Sequence, residues 1–134
     1  MGEAMRGIVG AGAAAAMLAA AGSAAAHHSG AMFDQTRTMT VEGTVKAVQW
    51  AQPHVWISVI GSPDGKGEPA QWDVEAIAPT RLVQIGLRKE MMEPGAKVTL
   101  QIHPIKDGRR AGSFVSATLD GKTYSFTAAQ ARSQ

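Results

Sequence analysis

From Val41 onward the chain is a series of short runs in which apolar and polar residues alternate. Each run is ended by proline, glycine or an Asp-Gly pair. A period of two puts successive side chains on opposite faces, so a chain of this kind folds as strands with one buried face. Residues 41–48 form the first run, and Gly43 inside it predicts a bulge or bend of the sort a closed barrel needs. Ala51-Gln52-Pro53 breaks that run. Residues 54–60 form the second strand, and residues 62–67 are a loop by their turn chemistry. Residues 70–76 form the third, with Trp72, Val74 and Ala76 on one face and Asp73 and Glu75 on the other. The period then changes. Pro79 near the start and Gly86 just past the end mark a short helix over 79–85, with Leu82 and Ile85 toward the core. After the Pro94-Gly95 turn come strands over 97–103 and 113–119. Asp120-Gly121 is a hairpin signal into residues 122–126. Three strands, a helix and two or three strands predict an all-β fold, a small OB-like closed barrel of five or six strands. The alternative is a β-sandwich, against which the helix weighs, because sandwiches connect strands directly.

What precedes the barrel has another composition. Residues 1–26 carry a short start with Arg6, an uncharged Gly/Ala-rich stretch and Ala24-Ala25-Ala26, the pattern of a secretory signal peptide with its cleavage site. An uncleaved anchor needs ~20 strongly apolar residues, and only Ile8, Val9, Met17 and Leu18 qualify. The expected product is periplasmic or secreted, with no stable membrane insertion after cleavage. It has an extended N-terminal arm over 27–40, the barrel over 41–126, and a small polar tail over 127–134 that is expected to fray. Cleavage after Ala26 leaves 108 of the 134 residues, enough for one domain with a modest core. The formal charge of +2 stays the same, since only Glu3 and Arg6 are lost. Such an excess, spread along the chain, gives no footprint for nucleic acid. The chain contains no cysteine, so neither a disulfide nor a thiolate ligand is available.

The same cleavage would place His27 at the new terminus. An N-terminal histidine offers a metal its free amine and its imidazole. His28 follows it, and His54 and His103 lie in the barrel. His54 is expected to open the second strand after the first interstrand loop, and His103 to close the fourth before the loop to the fifth. In OB-type barrels these two loops flank the ligand-binding face. The two histidines are therefore expected near each other although 49 positions apart. Residues 28–40 span at most ~3.3–3.6 Å each, enough for His27 to join them. Two ligand sets are open. After Ala26, the amine and ring of His27 plus one further imidazole give a three-nitrogen arrangement. After Ala25, Ala26-His27-His28 gives a square plane from the amine, two amides and the His28 ring. Both suit copper first, then nickel, then zinc. Imidazole ligates in its neutral form, so binding weakens below about pH 6. Met32 and Met39 are soft groups able to help hold Cu(I), whereas Met91-Met92 reads as core filling.

Each of these residues also has a plain structural reading. His54 suits a strand start bonded to backbone, His103 shares its face with Lys97, Thr99 and Gln101, and a terminal His-His pair suits a loose arm. Asp73 and Glu75 lie two apart as paired acids do, but alternation alone produces that spacing. No phosphate loop, nucleophile elbow, H-E-x-x-H or C-x-x-C is present. Trp50, Trp56 and Trp72 read as core and rim rather than as a platform for single strands. Three functions stay open. They are a copper carrier or buffer with metal ligands among His27, His28, His54 and His103, a non-metal module for a small ligand or partner protein, and a copper-dependent redox enzyme. No catalytic residue is assigned.

Ala26-His27-His28-Ser29, Phe33-Asp34, Gly43-Thr44-Val45, Pro53-His54-Val55-Trp56 and Asp120-Gly121-Lys122-Thr123 together resemble a family of small exported bacterial proteins of unknown function. Its pattern has a double histidine after the signal peptide and an N-P-H-x-W segment. Gln52 here replaces the usual Asn, and Gly30 the usual aromatic. The resemblance implies export and a similar fold over nearly the whole mature chain, and it carries no activity.

Overall fold

The computed structural model describes residues 30–126. The expected leader, His27, His28 and the tail lie outside the described residues. The elements are β1 (Met39–Gln49), β2 (Trp56–Pro63), β3 (Ala70–Glu75), helix α1 (Pro79–Gln84), a 3-10 turn (Lys89–Met92), β4 (Lys97–Pro104), β5 (Ala111–Leu119) and β6 (Lys122–Ser125).

Antiparallel pairing runs β3-β2-β1-β4-β5-β6. Closure comes from a parallel contact of residues 73–75 with 111–113, which joins β3 to β5. Five strands therefore form a closed barrel, and β6 is an extra strand on the remaining edge of β5. The expected small all-β barrel with one short helix is the observed fold, and the sandwich is excluded.

Alternation decides the inside. Val41, Val45, Ile57, Val59, Trp72, Val74, Val98, Leu100 and Ile102 fill the barrel. Burial of each such side chain stabilises by roughly 1.5–3 kcal/mol. Pro79 starts α1 and Gly86, at φ 89°, follows its end, so Leu82 turns fully into the core. Met92 is buried and Met91 packs against the same core, as core filling predicts. Asp120 and Gly121 both have positive φ, which gives the β5–β6 hairpin the primed turn that strand twist favours.

Several boundaries move. β1 begins at Met39, so the last two arm residues already pair with β4. The ladder of β2 begins at Trp56, not His54, and continues through Ser62 and Pro63, because Gly61 and Ser62 pair with Gly43 and Glu42. β5 begins at Ala111, since its first residues make the closing contact with β3. The bulge of β1 lies between Val45 and Ala47 rather than at Gly43. Gly43 instead faces Gly61 at a close backbone approach. A Cβ on Gly43 would overlap the Ile60 carbonyl and stand 2.6 Å from the Gly61 Cα. Barrel curvature thus depends on glycine here for space, not for φ.

Candidate functional site

Val55 is fully buried, and its N–H and C=O bond Ile77 and Ala76. That short pairing continues β2 backward past the ladder and turns His54, one residue away, to the opposite, outer side. There His54 Nδ1 lies 2.6 Å from Glu75 Oε1. Glu75 is outward because Val74 and Ala76 point inward. A carboxylate accepts, so the His54 Nδ1 carries the proton and Nε2 presents a lone pair when the ring is neutral.

His103 is outward by the same rule, between buried Ile102 and Pro104. Its Nδ1 lies 2.7 Å from the Arg37 carbonyl. A carbonyl also only accepts, so this ring is held in the same tautomer. Arg37 is placed by the arm, which docks on the end of β4. Asp34 N–H donates to the Pro104 carbonyl, Phe33 bridges Ile105, and Lys106 N–H donates to the Met32 carbonyl. Phe33 is buried and fixes this part of the arm. Asp34 in turn accepts from the hydroxyl and the backbone N–H of Thr36, and these two bonds hold its carboxyl below the ordinary value of 3.8.

The register places His103 on one row with Glu75, the residue that holds His54. His103 pairs Ser113, Ser113 pairs Glu75, and Glu75 pairs Trp56 and holds His54. Paired residues share a face, so His103 and Glu75 stand on the same outer surface two strand spacings apart, roughly 10 Å. The Ser113 hydroxyl between them is buried without a hydrogen-bond partner among the described residues. Neither Nε2 has such a partner either. No three His, Asp or Glu side chains are clustered as a metal site among the described residues. His54 and His103 alone therefore do not form one.

Asp73 and Glu75, read from sequence as chance alternation, have different tasks. Glu75 orients His54. Asp73 Oδ1 accepts from the Ser58 hydroxyl at 2.6 Å and from Gln71 Nε2 at 3.0 Å, and Gln71 Oε1 accepts from Lys46 Nζ at 2.6 Å. Among the tryptophans, Trp72 is core and Trp50 packs against it, but Trp56 stands on the outer face with 42% of its surface exposed. The orienting roles of Glu75 and Arg37 were missed from the sequence. The parity of Glu75 was a signal for the first, and nothing local announces a carbonyl 66 positions from its histidine. The Lys106 to Arg110 segment is the hairpin tip between β4 and β5, with Arg109 Nε bonded to Asp107 Oδ2 at 2.7 Å.

A model of DUF6152, a family of unknown function, matches residues 14–114. No curated protein matches the chain, and no solved structure matches it.

Proposed function

The chain belongs to this family of unknown function, and from its own residues we propose that it is an exported, periplasmic metal-binding protein that takes copper as a carrier or buffer. The observation that carries this reading is the state of its two barrel histidines. Histidine ligands of metals almost always donate the second ring N–H to a carboxylate or a backbone carbonyl, which fixes tautomer and orientation. His54 has the carboxylate and His103 the carbonyl. Both are outward, both leave Nε2 open, and the row that holds His103 also holds Glu75, the partner of His54. The remaining nitrogens are assigned to the mature N-terminal region, His27 with its free amine, or His28 if cleavage falls one residue earlier. Nitrogen ligation of this kind favours Cu(II).

The test is the native mass of the protein purified from the periplasm, with and without added Cu(II). A species starting at His27 or Ala26 that takes up one copper per chain is the expected result. A chain recovered only at full length in membranes, or one that takes up no copper, contradicts the reading. One observation favours a module without metal: the exposed Trp56 beside a fixed polar strip.

A further inference from the structure

We propose that the outer face of β1, β2 and β3 beside Trp56 is a binding site for a neutral oligosaccharide, independent of any metal. The register builds the site. Gln49, Trp56 and Glu75 form one cross-strand row, and Ala47, Ser58, Asp73 and Ala111 form the next. Side chains in the second row are small apart from Asp73, so this row forms a strip of short side chains beside the exposed Trp56. Ile60, 37% exposed, and Gln71 bound the strip on its other side. From Ala47 to Ala111 the strip crosses three strand spacings, roughly 14 Å. That length suits a chain of sugars rather than a single ring.

The chemistry selects the ligand. A pyranose carries C–H groups on its faces and hydroxyls around its rim. The C–H face meets the negative face of an indole, and the hydroxyls need planar donors and acceptors beside it. Asp73 and Gln71 supply the planar groups and Lys46 a further donor, and they are already held by one another and by Ser58. Little side-chain freedom is left to lose on binding. Asp73 and Glu75 against Lys46 give a face with no positive excess, which a phosphate backbone would require.

The experiment is titration of the mature protein with cellohexaose, maltohexaose and N-acetylchitohexaose into the tens of millimolar. Tryptophan emission and amide chemical shifts are followed, with a thymidine oligonucleotide as competitor. At least one hexaose is expected to bind saturably, with shifts confined to the Trp56 row and its neighbour. Trp56→Ala should weaken that binding by about tenfold or more, Gln71→Ala by a few-fold, and His103→Ala not at all. Trp56 is exposed, so its variant should retain the wild-type circular dichroism. Binding of none of the three sugars overturns the proposal. So does undiminished binding by Trp56→Ala, or competition by the oligonucleotide. Copper uptake is scored separately, and its failure leaves this site standing.

Discussion

His54 and His103 reach one condition by different routes. In each the Nδ1–H is taken by an acceptor, the Glu75 carboxylate in one and the Arg37 carbonyl in the other. A free imidazole in water prefers the proton on Nε2, so both tethers leave a measurable mark. Nitrogen chemical shifts of the neutral rings should show both as the Nδ1–H tautomer, and Glu75→Ala should return His54, but not His103, to the Nε2–H form. Finding either wild-type ring as Nε2–H contradicts the assignment. Asp34 gives a second test at this scale. Two bonds from Thr36 depress its carboxyl below 3.8. Their contribution is therefore present above that value and lost as pH falls through the lower folded one. The Thr36 amide should be protected from exchange at neutral pH and lose protection only in acid below about pH 4. Protection that does not change across that range would show that Asp34 does not hold the turn.

At the scale of elements, alternation locates every strand, and the bulge is legible once spacing is counted. Val41 and Val45 are an even number apart and both buried. Val48, which packs on the core, is an odd number from Val45. One extra residue must lie between Val45 and Val48, and the register shift is there. Gly43 drew the bulge to the wrong place because a strand glycine signals a bulge and a close approach equally. Only the pairing with Gly61 distinguishes them. Gly43→Ala should cost about 2 kcal/mol or more, since backbone atoms of β2 would have to move. For a domain of this size that lowers Tm by about 10 °C. A variant melting within a degree or two of wild type would show that the approach is not constrained. The ends of β2 and β5 were not legible, because they are set by partners across the barrel rather than by local composition.

For the whole molecule, barrel closure turns distant residues into neighbours. The parallel seam between β3 and β5 puts Glu75 beside Ser113, and through Ser113 beside His103. Sequence order and the expected OB-like topology led to the expectation that His54 and His103 lie near each other. They were not enough to anticipate what orients them, since hydrogen bonds across the fold leave no pattern in the chain. Nor did they reveal that Trp56 faces outward, because a β-strand tryptophan suits either face until its buried neighbours Val55 and Ile57 are seen. The central claim, a copper site formed by the mature N-terminus and a barrel imidazole, is tested most directly by one Cu(II) titration series. It compares the mature chain with a form carrying one extra residue ahead of His27, and with His28→Ala, His54→Ala and His103→Ala. With His27 as terminus, the extra residue should weaken binding strongly, and at least one barrel variant should weaken it more than His28→Ala does. With Ala26 as terminus, His28→Ala should be the damaging change and the barrel variants should bind as wild type. Equal, weak binding by all five forms contradicts a copper site of either kind.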